Sequence, residues 1–361
     1  MDRRTTHIDN GIRSVVRIGI VTATIGFLGL TCPSSSGAES AGARPPTPGS
    51  SAATRTPATW PREVQEVSIH STADGSTQPA LFWEAPGDGE RPLLVALHSW
   101  SGDYRQTTGI AYATRCLERR WHFLHPNFRG VNSCPAATCS DLAVTDVLDA
   151  VEFARRHARV DDRRIYLVGV SGGGMAALQV LAKAPALWAG VSAWASISDL
   201  AAWHAETKAR NLSYTPQIET SCGGPPGANA AADFQYWNRS PIHFLAHASA
   251  VPLDINAGIR DGHEGSVPIS HSLHAFNALA HPADRLPESA IADLVRDAQV
   301  APALRSKQHD PLYGANIVLF RRESGPVRIT LFDGGHEIIY DAALAWLERQ
   351  SRPSRQTKPP Q

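Results

Sequence analysis

A serine set between glycines at the end of an apolar run, Gly169-Val170-Ser171-Gly172-Gly173, is the part of this sequence best suited to covalent chemistry. The run before it, Ile165-Tyr166-Leu167-Val168, reads as a strand, and Met175, Leu178, Val180 and Leu181 after it share a helical face. A sharp strand-to-helix turn has no room for side chains beside the serine. Gly169 and Gly173 let the backbone cross closely there while the hydroxyl stands clear. An ordinary serine in a glycine-rich turn is the alternative, and the flanking strand and helix speak against it.

A serine hydroxyl is a weak nucleophile at neutral pH and needs a positioned base, itself oriented by a carboxylate. In a strand-turn-helix setting the chain order is serine, acid, histidine. His336 is the candidate base, in Leu331-Phe332-Asp333-Gly334-Gly335-His336-Glu337, after a predicted strand and two glycines. His263 and His271 are the rivals. They lie before or within the helix expected after the acid loop, and read better as supporting or surface residues. Asp261 is the candidate acid, in Ala257-Gly258-Ile259-Arg260-Asp261-Gly262, with Glu264 competing from the same loop. Turn capping is the bland reading of both carboxylates.

The charge that develops on an attacked carbonyl oxygen needs two backbone donors. Gly172 supplies one as the residue after the nucleophile, and the loop after the strand at 93–97, His98-Ser99-Trp100-Ser101-Gly102, supplies the other. Trp100 is the expected donor, and its indole is placed to wall an acyl pocket; a packing aromatic is the alternative. No metal or organic cofactor is expected, because His70, His98 and His204 lack coordination spacing and no glycine-rich turn has the companions of a nucleotide site.

The elements that must hold these residues alternate. Strands are predicted at 92–98, 122–125, 164–170, 188–193, 252–257 and 329–332, with helical spacing between them, as in Leu142, Val144, Val147, Leu148 and Val151. This is an α/β pattern: a doubly wound, mostly parallel sheet flanked by helices, with its ligand crevice at the carboxyl ends of the strands.

The chain has 361 residues, 42% of them hydrophobic, enough for one large domain expected over residues 62–350. Its 34 basic residues balance 34 acidic ones, so no overall field draws it to nucleic acid. A small-molecule, peptide or ester substrate is the expected partner. Residues 1–38 read as a signal peptide, with Arg3, Arg4, Arg13 and Arg17 ahead of an apolar run from Ile18 to Leu30 that is too short for a membrane span. That predicts a secreted or periplasmic protein. Cys32 could take a lipid anchor, although Thr31 before it fits poorly. Residues 39–61 form a Pro/Ser/Ala-rich spacer and 351–361 a similar tail. An exported chain could oxidise Cys116, Cys134, Cys139 and Cys222 into two disulfides, with Cys134 and Cys139 spaced to staple a short loop.

With these residues in place, positions 91–350 resemble the catalytic domain of the prolyl oligopeptidase family, within the α/β-hydrolase superfamily, and its acylaminoacyl-peptidase-like branch in particular. The resemblance runs through Asn127-Phe128-Arg129-Gly130, Asp146-Val147-Leu148-Asp149-Ala150-Val151, Val160-Asp161, the serine turn, Cys222-Gly223-Gly224-Pro225-Pro226, Arg239-Ser240-Pro241-Ile242, Val267-Pro268 and Gly334-Gly335-His336. It implies catalytic roles for Ser171, Asp261 and His336. Three features depart from the family. The stretch ahead of the sheet is too short for the β-propeller many members carry. The acid loop is longer than usual between Asp261 and Val267. His98-Ser99-Trp100 replaces the usual His-Gly start.

The mechanism implied suits a serine-type peptidase and a carboxylesterase for small or polysaccharide-linked esters equally. A catalytically silent binding domain is the reading from another class, and the presence of serine, acid and histidine in the expected order weighs against it. Residues 282–328 are long for a connection and predict an added helix near 292–304 and a strand pair around 317–329.

Overall fold

The computed structural model describes residues 59–306 and 309–353. The expected signal peptide with Cys32, residues 39–58 of the spacer and the tail from 354 lie outside the described residues. The chain enters through a hairpin, β1 (Gln65–His70) and β2 (Thr77–Trp83), and then alternates through β3 (Arg91–Leu97), α1 (Thr108–Arg119), β4 (His122–Pro126), α2 (Asp141–His157), β5 (Val160–Val170), α3 (Gly172–Lys183) and β6 (Gly190–Trp194). Three helices follow, α4 (Leu200–Ala209), α5 (Tyr214–Cys222) and α6 (Ala230–Asn238). Then come β7 (Leu253–Gly258), α7 (Ser270–Leu279), α8 (Glu288–Asp297), the hairpin β8 (Val318–Ser324) and β9 (Val327–Phe332), and α9 (Tyr340–Glu348).

The nine strands among the described residues make one sheet in the order β1-β2-β4-β3-β5-β6-β7-β9-β8, the fold of the α/β hydrolases. Pairing is parallel from β4 through β9 and antiparallel at the two edges. The strand sequences explain the layering. In β3, Leu93, Val95 and Leu97 point to the face covered by α2, α3, α7 and α8. Leu94 and Ala96 point to the other, against α1 and α9. Strands buried on both faces read as continuous apolar runs, which is why β3 and the second half of β5 were legible. Between β3 and β5 the strand order reverses, so the loops leaving their carboxyl ends diverge and open a crevice.

Helix α2 shows how local sequence fixes an element. Ser140 caps it, its hydroxyl accepting from Ala143 N at 3.1 Å. Val144, Val147 and Val151 turn inward, and Arg155, Arg156 and His157 sit in the last turn, where positive charge is favoured. The resemblance blocks at 127–130 and 146–151 meet here. Arg129 bonds Asp146 at 2.5 Å and Asp74 at 2.6 Å, bracing the turn after β4. The Asp146 side chain is almost wholly buried, and burial pushes its carboxyl up despite the guanidinium beside it. Removing either partner would strand a buried charge, at a cost of about 3–5 kcal/mol.

Two expectations change. Cys116, Cys139 and Cys222 are free, buried thiols, so no pairing among the four candidate cysteines forms and the Cys134–Cys139 staple is not made. Packing separates Cys116, in the core on one face of the sheet, from Cys139 and Cys222, in the core on the other. Burial holds the thiols of Cys139 and Cys222 up at about 12 and about 11, far from the reactive range. The added helix, Glu288–Asp297, overlaps the expected span but starts and ends earlier, stopped by Ala298 in a left-handed conformation. The strand pair is β8 with β9. Among the described residues no propeller is present, and no helix is long and apolar enough to cross a membrane.

Candidate active site

Strand β5 delivers Ser171 at its carboxyl end with φ 60° and ψ −124°, a backbone conformation that non-glycine residues adopt only when their surroundings force it. The forcing contacts are visible. A Cβ at Gly169 would run into the Gly173 carbonyl, and one at Gly172 would come within 2.5 Å of Trp100 N. Ser171 N is held by Trp194 O at 2.9 Å on the neighbouring strand, and its carbonyl accepts Met175 N at 2.9 Å to start α3. Ser171 remains 9% exposed.

The close approach at Gly172 brings the loop after β3 against the turn. Gly172 N belongs to the first turn of α3, whose N–H groups have no partner within the helix. Trp100 N has no acceptor among the described residues. Two unpaired backbone donors therefore sit side by side at the amino end of a helix, where the helix dipole favours negative charge.

Strands β7 and β9 carry their pairing beyond the sheet. Ile259 N bonds Phe332 O at 2.8 Å and Arg260 N bonds Gly334 O at 3.0 Å, so the two loops run together. This sets Asp261 beside His336, whose Nδ1 lies 2.7 Å from Asp261 Oδ2. The carboxylate is 1% exposed and also accepts from Gly262 N at 2.9 Å and Val267 N at 3.3 Å. An acceptor-only carboxylate assigns the Nδ1–H tautomer to neutral His336, leaving Nε2 with its lone pair. A methyl at Gly265 would collide with both Asp261 and His336, so the long acid loop folds back over the pair.

Glu264 is elsewhere. Its side chain is 63% exposed and pairs with Arg260 Nε at 3.2 Å. His263 Nε2 bonds Val295 O at 2.6 Å, and His271 is buried on α7 against Glu206 at 2.9 Å. Among the described residues neither side chain is hydrogen-bonded to Asp261 or His336. No hydrogen bond joins Ser171 to His336 among the described residues; in unliganded sites such bonds are commonly long and close with substrate.

The segment after β6, which the sequence left without elements, touches both halves of the site. Trp203 Nε1 donates to Ser266 O at 3.0 Å and Arg210 to Gly265 O at 2.8 Å in the acid loop. Trp100 Nε1 donates to Gln217 Oε1 on α5 at 2.7 Å, and its ring meets Trp203 edge-on with centroids 4.7 Å apart. Trp100 is thus 2% exposed and its indole packs under α4 and α5. No motif signals Gln217, which lies 117 residues from its partner.

Residues 140–291 match the model of the prolyl oligopeptidase family, a span that includes Ser171 and Asp261 and stops short of His336. A comparison with curated proteins finds no match. Among solved structures, the chain is similar in fold to the uncomplexed acylaminoacyl peptidase of Pyrococcus horikoshii, with 14% identity, a TM-score of 0.54, and 82% of this chain and 43% of that one covered. An acylaminoacyl peptidase in complex with Z-Gly-Gly-Phe-chloromethyl ketone gives 15% identity and a TM-score of 0.53, over 80% of this chain and 41% of that one. A puromycin-hydrolyzing peptidase of Mycobacterium tuberculosis gives 15% identity and a TM-score of 0.50, over 79% and 38%. The chain spans about two fifths of the length of these neighbours. With the α/β-hydrolase fold, the serine turn and the match over residues 140–291, the chain is similar to the prolyl oligopeptidase family.

Proposed function

We propose that this chain is an exported hydrolase that cleaves a peptide or carboxylic ester bond through an acyl-enzyme on Ser171. The observation that carries the reading is the 2.7 Å contact of His336 with buried Asp261, on loops that converge at the strand ends from which Ser171 emerges. His336 Nε2 takes the Ser171 proton as Oγ attacks the carbonyl carbon. The oxyanion forms against Gly172 N–H and Trp100 N–H, each such donor being worth about 2.7–4 kcal/mol. His336 then protonates the leaving amine or alcohol, and a water repeats the sequence to free the enzyme. Asp261 holds the imidazole in its tautomer and stabilises the imidazolium.

The family match favours an amide bond, while the mechanism serves esters equally. Export rests on the arginine-flanked apolar run at 18–30 alone. The test compares Asp261→Asn with Glu264→Gln on p-nitrophenyl esters of graded acyl length and on blocked and unblocked peptide anilides. Asp261→Asn should lose about 10⁴ in kcat. Glu264→Gln should stay within about twofold, as expected for an exposed pair of little energetic weight. The reverse pattern would make Glu264 the acid. Amide turnover comparable to ester turnover favours the peptidase, and ester turnover alone the carboxylesterase.

A further inference from the structure

The two oxyanion donors are held by different means. Gly172 N–H is fixed by α3, whereas Trp100 N–H sits on a loop and needs restraints of its own to be preorganised. The peptide that carries this N–H has Ser99 O at its other end, and that oxygen is approached by Gly102 N at 3.2 Å and His98 Nδ1 at 3.0 Å. Gln106 brackets Ser99 with both ends of its amide, Oε1 on Ser99 N at 2.8 Å and Nε2 on Ser99 Oγ at 2.6 Å.

Beyond Trp100 the bonds form a closed circuit. Its carbonyl accepts from Asn132 N at 2.9 Å and Asn132 Nδ2 at 3.2 Å. Asn132 Oδ1 accepts Thr138 N at 2.8 Å, and Thr138 Oγ1 shares a 2.8 Å bond with Ser221 Oγ. Ser221 Oγ donates to Gln217 O at 2.9 Å, and Gln217 Oε1 receives Trp100 Nε1–H at 2.7 Å. Trp100, Asn132, Thr138 and Ser221 are all buried, where hydrogen bonds are strengthened and an unmade one is costly. An indole nitrogen only donates, so the Gln217 oxygen must face it.

We propose that Gln217 and Asn132 are positioning residues for the oxyanion hole: the circuit through α5 fixes both ends of Trp100, and so the direction of its backbone N–H. The inference rests on the acyl-enzyme reading. It makes α5 part of transition-state stabilisation although, among the described residues, no hydrogen bond joins that helix to Ser171 or His336.

The test uses the full chain with Gln217→Leu, which removes the acceptor at similar volume, and Gln217→Glu, which keeps one. Gln217→Leu should lower kcat on p-nitrophenyl acetate about tenfold with KM within about twofold, the signature of an interaction felt in the transition state. Its rate of fluorophosphonate labelling should fall by a similar factor, because the phosphonyl oxygen occupies the same hole. Gln217→Glu should recover to within about threefold of wild type, and Trp100→Phe combined with Gln217→Leu should be no worse than Trp100→Phe alone. Unchanged kcat in Gln217→Leu, or a Gln217→Glu variant as impaired as Gln217→Leu, overturns the proposal while leaving the acyl-enzyme reading intact. A wild-type chain that neither turns over nor labels overturns both.

Discussion

The turn at Ser171 and the loop at Trp100 meet at one point, and they are built in opposite ways. The turn is shaped by missing side chains: Gly169 and Gly172 let backbone pass backbone at distances a Cβ would forbid. The loop is shaped by added ones, with His98, Gln106, Asn132 and Gln217 each bonded to Ser99 or Trp100. Exclusion tolerates no substitution, because the obstructing atoms are backbone on both sides. Bonding degrades gradually, since each contact contributes about 1 kcal/mol and others remain.

The contrast fixes an order of effects. Among the residues that only shape the turn or the loop, Gly169→Ala should cost most: the added methyl meets the Gly173 carbonyl, and displacing the turn by even about 1 Å costs on the order of 10² in rate. Turnover and soluble yield of the purified variant check this, and activity within a few fold of wild type would show that the turn is not held by exclusion. Gln217→Leu, at about tenfold, comes next.

The smallest effect separates the two regions by pH. The turn at 169–174 carries no titratable side chain, whereas the loop rests on buried imidazoles. Burial holds His98 below its usual range and His125, 6.4 Å away between ring centroids, down at about 3. The unfolded chain therefore binds protons that the folded chain refuses. Stability from these groups is complete above about pH 6.5 and is lost as pH falls towards the folded value. Melting temperature should drop between pH 7 and pH 5, by about 2–4 °C per kcal/mol, and His125→Phe should flatten the slope. Equal slopes in both proteins would remove His125 from the account.

The same contrast explains what could be read in advance. Exclusion leaves a local mark, so the glycines around Ser171 and before His336 stood out, and doubly buried strands stood out as apolar runs. Bonding leaves none: Asn132 and Gln217 are ordinary polar residues until the fold brings them to Trp100. The β1–β2 hairpin was missed because both strands are only partly buried and Pro79 interrupts β2. Helices α4 to α6 were missed for lack of a clear apolar stripe, since they bury scattered residues such as Trp203, His204 and Ile218. The expected pairings of Cys116, Cys139 and Cys222 failed because cysteine spacing does not tell where in the core a thiol is buried.

The central claim is that Ser171 is an activated nucleophile. Incubating the purified chain with a fluorophosphonate and mapping the adduct by mass spectrometry tests it directly. The account predicts stoichiometric labelling at Ser171, abolished in Ser171→Ala and slowed strongly in His336→Ala. A folded wild-type chain that takes up no label, or takes it up at another residue, would contradict it.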